Sequence, residues 1–408
     1  MGKTILLLGH GMQGKCTLWD LMRGDLVDHV IVADRELDLD GLYARYPRDR
    51  VEGAVLDATD TRGLSGLMRQ ADLVIELLPG RFAYPVARLA VDNGVHLVNS
   101  MYLANAGEQD EQRIEERKRE VRRLDADAKA QGLTVLTEFG LDPGVDLVLS
   151  MLAIRELDSV SEFYSYGAGI PEPAAADNAL KYKFTWSVEG VLRSYLRPAW
   201  TIEDGQVREI SAADVFAPEH MHLMDLPEIG GVVECFPNGN AVKYAEMFGI
   251  RDAVRRMGRY TCRWPGHGAF WYGMAQSGFL SEEPVKVGGG DIAPLDFAMA
   301  LMGSQPQFWY KHDERDIAIV RVDARGYRAG QRTRVVYQLV DRRDLTTGFT
   351  AMTRTVGFPV SAGAQMILRG DIDKRGVVTP VEVPADILLK ELTTRGLVIE
   401  HRVMPWKG

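Results

Sequence analysis

The chain has 408 residues, a formal charge of −9 and a pI near 5.5. At roughly 150 residues per domain that length provides for two domains, and the acidic balance speaks against nucleic acid, which calls for a basic face. There is no uninterrupted apolar stretch of about 18 residues to span a membrane, and the scattered Cys16, Cys235 and Cys262 mark neither a disulfide framework nor a metal site.

In chain order, the opening MGKTILLL is too short for a secretory signal and runs straight into a glycine loop, so the cytoplasm is the expected compartment. Residues 4–9, an apolar run closed by glycine, read as a buried strand, and 13–23 follow with helical spacing. Further strands are expected at 29–34, 51–56, 72–78 (DLVIELL), 95–98 and 133–137, with helical stretches between them. That alternation predicts βαβ units and a parallel sheet. The charged stretch 108–131, from Glu108 onward, carries Ile114, Val121, Leu124 and Ala128 on one seam. It reads as a solvated outer helix with pairs such as Glu115 with Arg119.

The pattern changes after Asp142-Pro143-Gly144. Strand-like runs at 161–166, 181–186, 316–322 and 334–340, with turn residues clustered at 167–178 and 286–294, predict an α+β domain with a mixed, mostly antiparallel sheet. Helical spacing returns at 360–370 and 385–395, and 397–403 has the pattern of a strand. The expected division is a Rossmann dinucleotide-binding domain over 1–142, an α+β domain over 143–355, and a C-terminal segment, 356–408, packing back on the first domain.

Gly9-His10-Gly11-Met12-Gln13-Gly14 follows a predicted strand and opens a predicted helix. There the first glycine permits the turn, the second lets backbone approach a pyrophosphate, and the third allows close helix–strand packing. The free N–H groups of the helix start then face the phosphates. Asp34 stands 20 residues beyond Gly14 at the end of the second strand, where an acid accepts hydrogen bonds from an adenosine ribose. A carboxylate repels a 2′-phosphate, so NAD is the expected cofactor, with NADP open because Arg35 follows. Ligands of such sheets sit at the carboxyl ends of the strands. Asp57, Leu78, Pro79, Ser100, Leu141 and Pro143 therefore join Met12 and Gln13 as expected cofactor contacts.

Four stretches resemble the saccharopine dehydrogenase family, in particular saccharopine reductase and lysine 6-dehydrogenase. They are GVHLVNSMY (94–102), EFGLDPGVD (138–146), the run from SYG (165–167) through GIP (169–171) to YKFTWS (182–187), and TRTVGFP (353–359). The resemblance implies an NAD(P)-dependent dehydrogenase of CH–NH or CH–NH2 donors, with a small amino-acid substrate bound by the second domain and a homodimer in solution. It also implies Asp142 and Tyr102 as catalytic residues, both following predicted strand ends, where a general acid/base near the nicotinamide is needed. A carboxylate-bearing substrate calls for cations, and Lys183, Arg263 and His267 are the candidates, with Trp186 and Asn238 beside them. Arg263-Trp264-Pro265-Gly266-His267 is similar to the lysine dehydrogenases. Two positions depart from the reductases: Gly167 stands where they have cysteine, and Gly239 where they have an arginine after Pro-Asn. Lysine 6-dehydrogenase, opine or carboxy-polyamine dehydrogenase activity is the alternative, and a non-catalytic dinucleotide-binding regulator a reading of another class.

Overall fold

A computed structural model describes residues 2–104 and 110–407. Its elements run β1 (Lys3–Leu8), α1 (Met12–Leu21), β2 (Val27–Asp34), α2 (Leu39–Arg45), β3 (Val51–Val55), α3 (Thr61–Met68), β4 (Leu73–Glu76), α4 (Ala83–Asp92), β5 (His96–Asn99), α5 (Glu111–Ala130), β6 (Thr134–Leu136) and α6 (Val145–Arg155). There follow β7 (Ser159–Pro171), α7 (Val188–Ser194), β8 (Ala199–Glu203), β9 (Gln206–Ile210), β10 (His222–Leu226), β11 (Gly231–Pro237), α8 (Ala241–Met247), β12 (Arg256–Arg263) and α9 (His267–Gln276). The chain ends through β13 (Val285–Val287), β14 (Gly290–Ile292), α10 (Pro294–Ser304), β15 (Asp316–Arg328), β16 (Gln331–Arg342), α11 (Ala351–Arg369), β17 (Gly376–Val378), α12 (Ala385–Thr394) and β18 (Ile399–Pro405). Two compact units result, one of residues 1–148 with 353–397, the other of 149–352 with 398–408.

The first unit holds a seven-stranded parallel sheet in the order β17-β6-β5-β4-β1-β2-β3. Its central strands carry buried apolar runs, Ile5–Leu8 in β1, Val30–Ala33 in β2 and Leu73–Ile75 in β4, because helices cover both faces. On one face Leu6, Leu8, Ile31, Val74 and Leu97 pack under Leu64 and Met68 of α3, Val86 and Ala90 of α4, and Leu124 and Ala128 of α5. Helix α5 buries Leu124 and Ala128 of the expected seam, with Ile114 and Val121 half-buried, and is capped by Asp110, whose carboxylate accepts from Gln112 N–H at 2.9 Å. Its expected start at Glu108 lies outside the described residues. Glu115 pairs with Lys118 at 2.6 Å, one turn position short of the expected Arg119. On the other face, α1 and α11 meet closely. Thr17 Oγ1 donates to Gly357 O at 3.2 Å, and Asp20 takes both Ser361 Oγ–H and Arg395 Nε–H at 2.7 Å.

The second unit holds a nine-stranded sheet with the path β10-β11-β12-β7-β15-β16-β18, with β8 pairing β12 and β9 extending from β8. The β12/β7 pair is parallel and the others are antiparallel. Two expectations are corrected here. Residues 181–186 form no strand. The Asn178 side chain accepts from Leu180 N–H and Tyr182 N–H and donates to Tyr182 O, occupying groups a ladder would use. The C-terminal segment does not return whole to the first unit either: residues 398–408 belong to the second, where β18 lies antiparallel to β16. Helix α11 starts nine residues before the expected 360, because the buried Asp316 carboxylate accepts from Ala351 N–H at 2.7 Å and Met352 N–H at 3.0 Å. Among the described residues no helix is long and apolar enough to cross a membrane, and no cluster of metal-ligating side chains occurs.

Candidate functional site

The residues expected to touch a dinucleotide end or follow the strands of the parallel sheet at their carboxyl ends, Asp34 as the last residue of β2 and the others in the loops and helix start beyond, and the strand order reverses between β1 and β4. Gly9 has φ +93° and donates its N–H to Ala33 O at 2.9 Å, and a Cβ there would lie 2.7 Å from Leu77 O. A Cβ on Gly14 would lie 1.9 Å from Gly9 O, so only glycine brings α1 this close to the loop. At Gly11, the N-cap of α1, a Cβ would meet nothing within 4 Å, and Met12 beside it is exposed. Open space over the first amides of a helix is what an approaching pyrophosphate requires.

Asp34 is half-buried. Its Oδ2 accepts from His10 N–H at 2.7 Å and its Oδ1 from Glu36 N–H at 3.1 Å, so the acid orders the glycine loop as well as facing the edge. Arg35 is exposed and pairs with Glu36 at 3.2 Å. Asp57 closes a turn on Thr59, accepting from its N–H at 2.8 Å and Oγ1–H at 2.7 Å; those bonds hold its carboxyl below the ordinary range. Leu78 is half-buried, and Pro79 is exposed ahead of a short 3-10 turn. Gln13 and Pro143 are half-buried and Leu141 is buried.

The loops after β5 and β6 are bound to each other. Phe139 N–H donates to Asn99 O at 2.9 Å and Glu138 N–H to Met101 O at 3.2 Å, while Ser100 Cβ stands 3.3 Å from where Gly140 would carry one. The half-buried Tyr102 and the exposed Asp142 ride on these two loops.

Glu76, at the end of β4, was missed, although an acid inside DLVIELL is a visible signal. It is fully buried; Oε1 accepts from Leu78 N–H at 2.9 Å and Oε2 has no hydrogen-bond partner among the described residues. Burial pushes its carboxyl up to about 7, against the Leu78 N–H and the amide of Asn99, its cross-strand neighbour, which favour the charged form without offsetting the desolvation. A pKa raised in the fold makes the folded state bind the proton more tightly. Stability is therefore full below about 4.5 and declines as pH rises to about 7, by up to about 3 kcal/mol. Glu76→Gln keeps the acceptor for Leu78 N–H. It should equal the parent at pH 4.5 and exceed it by about 2–3 kcal/mol at pH 8 in denaturant unfolding. A pH-independent difference would remove this account.

In the second unit, Arg263 and His267 come together and share an aromatic cage. The Arg263 guanidinium lies 4.9 Å from the Tyr182 ring centre, and one terminal N–H donates to Cys262 O at 2.9 Å; Nε has no hydrogen-bond partner among the described residues. His267 Nε2 and Tyr195 OH are 2.9 Å apart, and Tyr182 and Phe236 flank the imidazole. Burial, then the Arg263 charge, holds the imidazole well below its ordinary pKa, so it is neutral and not the expected cation. Lys183 is corrected as well. Its buried ammonium already meets Asp177 at 2.9 Å and Glu314 at 2.8 Å, so its charge is cancelled locally. Trp186 packs at the edge of the same aromatic cluster, whereas Asn238 turns to Thr261 Oγ1 at 2.9 Å.

Arg263 is the cation left over. It is 7% exposed, and no acidic side chain of the described residues is within ion-pair distance. Its cross-strand neighbour Glu234 turns away to the start of α9, accepting from Gly266 N–H at 3.0 Å and from Gly268 N–H. Tyr182 and Tyr195 cannot supply the missing charge, since burial raises both phenols and keeps them neutral. Tyr195 carried no signal in the sequence, because its partner is 72 positions away.

Comparison with known proteins adds two family models, "Saccharopine dehydrogenase NADP binding domain" over residues 5–136 and "Saccharopine dehydrogenase C-terminal domain" over 140–397. The mitochondrial alpha-aminoadipic semialdehyde synthase of Rattus norvegicus is 28% identical over 93% of this chain, which spans 45% of that protein. The saccharopine dehydrogenase [NADP(+), L-glutamate-forming] of Saccharomyces cerevisiae is 25% identical over 99% of this chain and 100% of its own. Among solved structures, apo saccharopine dehydrogenase (L-Glu forming) from Saccharomyces cerevisiae superposes with a TM-score of 0.83 at 24% identity, covering 99% of this chain and 100% of that one. Homospermidine synthase from Legionella pneumophila in complex with NAD gives 0.65 at 13% identity, covering 100% and 92%. These two superpositions bear on the fold.

Proposed function

The chain belongs to the saccharopine dehydrogenase family, and from that premise we propose that it is an NAD(P)-dependent oxidoreductase acting on the C–N bond of an amino-acid-derived amine. The reaction is that of saccharopine: a secondary amine is oxidised at carbon to an imine, water adds, and the C–N bond breaks to give glutamate and an aldehyde, or the reverse. The nicotinamide supplies the hydride acceptor or donor. The observation that carries the reading is the glycine loop, closed at Gly14 to any side chain and open at Gly11 to a ligand.

The chain's own residues divide the remaining work. The first amides of α1 hold the pyrophosphate, with Gly9, Gly11, Met12, Gln13 and Gly14 shaping the approach. Asp34 takes the adenosine ribose and favours NAD, while Arg35 offers the charge that would admit NADP. Asp142 moves the proton as the imine forms and as water adds, and Tyr102 positions the reacting nitrogen. Arg263 receives a substrate carboxylate. Cytoplasmic location and a homodimer complete the reading.

A second reading rests on Gly239, whose φ of +71° suits glycine. Without the cation that the reductases carry there, an amine lacking a glutamate arm fits: lysine, an opine or a carboxy-polyamine.

The test is NAD(P)H absorbance with saccharopine, with lysine, and with lysine-derived semialdehyde plus glutamate. Turnover on the first or third is expected. Turnover on lysine alone selects the second reading, and none on a wide amine panel points to a dinucleotide-binding regulator. Asp34→Ala should weaken both cofactors, since His10 N–H loses its acceptor, and shift the NAD-to-NADP affinity ratio about tenfold toward NADP by cofactor fluorescence titration. An unchanged ratio takes the ribose away from Asp34.

A further inference from the structure

Cys235 and Cys262, distant in sequence, are directly opposed on neighbouring antiparallel strands, β11 and β12. Asn238 N–H donates to Arg259 O at 2.8 Å, which makes that pair a hydrogen-bonded one. Counting back along the alternation, Cys235 and Cys262 occupy a non-hydrogen-bonded pair, where Cα atoms stand about 4.5 Å apart. That separation lies within the range of about 4.4–6.8 Å that a disulfide spans. The two sulfurs are already in contact at 2.9 Å, and both residues are buried.

We propose that Cys235 and Cys262 form a reversible, peroxide-sensitive cross-strand disulfide, a modification site in the second unit. The opposing thiol and His222, which is paired with Cys235 across β10, hold the Cys235 thiol down to about 7, while burial pushes Cys262 up. Cys235 is thus the attacking thiolate and Cys262 the resolving thiol. The oxidant is a peroxide. The Cys235 thiolate attacks one peroxide oxygen, the O–O bond breaks, and hydroxide leaves as a sulfenic acid forms. Cys262 sulfur then attacks the Cys235 sulfur, the S–O bond breaks and water leaves. Two thiols lose two electrons and two protons, and the peroxide is reduced to two waters. Access runs through β10, the sheet's edge strand, whose opening uncovers Cys235.

The bond would clamp the two strands that carry Glu234 and Arg263 into the start of α9. The disulfide is independent of the reaction proposed above, so its failure leaves that reading intact.

The full-length protein is treated with hydrogen peroxide, alkylated, digested without reductant and measured by mass spectrometry. The expected product is one linked peptide pair containing Cys235 and Cys262, lighter than the two free peptides by two hydrogens. Cys16→Ser should give the same product. The midpoint of thermal unfolding should rise by roughly 5 °C and fall back with dithiothreitol. Recovery of both cysteines as separate alkylated or sulfinic peptides, or a link through Cys16, overturns the proposal. Because the decisive readout uses the unaltered chain, it does not depend on Cys235→Ser or Cys262→Ser folding.

Discussion

Asp142→Asn is expected to lower kcat by about 10²–10⁴-fold, the range for removing a general acid/base, while leaving the unfolding midpoint nearly unchanged. The second half of that expectation comes from the loop. Backbone bonds brace it: Gly140 N–H donates to Pro143 O at 3.0 Å and Val145 N–H to Gly140 O at 3.0 Å. Gly144, at φ +143°, lets the chain close so tightly that a Cβ would lie 2.1 Å from Gly140 O. The side chain itself is exposed, and exposed substitutions usually move stability by less than about 0.5 kcal/mol. A large loss of rate without loss of stability or of cofactor affinity, measured by steady-state kinetics and fluorescence titration, separates proton transfer from a turn residue's role. A near-normal kcat at saturating substrate would sink the assignment, and the proton would then belong to Tyr102 or to solvent.

How far the sequence reached depends on the range of the interaction being read. The glycine loop is a local device: Gly9 and Gly14 are each needed by a steric fact within a few residues or across the sheet, Gly11 leaves the space beside them open, and Asp34 closes the same βαβ unit. The parallel sheet follows from apolar runs that both faces bury, and the α5 seam from helical spacing. What escaped is mostly long-range. The exception is the 181–186 run, which has strand composition, yet the nearby Asn178 claims the N–H and carbonyl of Tyr182. Helix α11 begins early because Asp316, from β15, caps it. Cys235 and Cys262 look unrelated until the antiparallel register sets them face to face. Lys183 and His267 read as free cations because composition shows neither the carboxylates around one nor the burial of the other.

The same long-range logic gives the second large effect. A guanidinium taken out of water without an acid costs several kcal/mol, and the partial compensation at Arg263 comes from neutral groups, the Cys262 carbonyl, the face of Tyr182 and the phenols of Tyr182 and Tyr195. Two explanations make opposite predictions. If Arg263 is a structural strut, Arg263→Met removes its hydrogen bond and stacking and lowers stability. If its charge awaits a carboxylate, the substrate-free chain carries an unpaid desolvation cost, and Arg263→Met should raise stability by about 1 kcal/mol or more. The same change should raise KM for a carboxylate-bearing amine by about 10²–10³-fold, the consequence of deleting one partner of a buried charge pair. Arg263→Lys should recover only part of that loss, because an ammonium lacks the planar fork that grips both oxygens. Denaturant unfolding without substrate and KM against kcat for the three proteins measure both quantities. A destabilised Arg263→Met with an unaltered KM would place the guanidinium in the framework and send the search for the carboxylate's partner elsewhere.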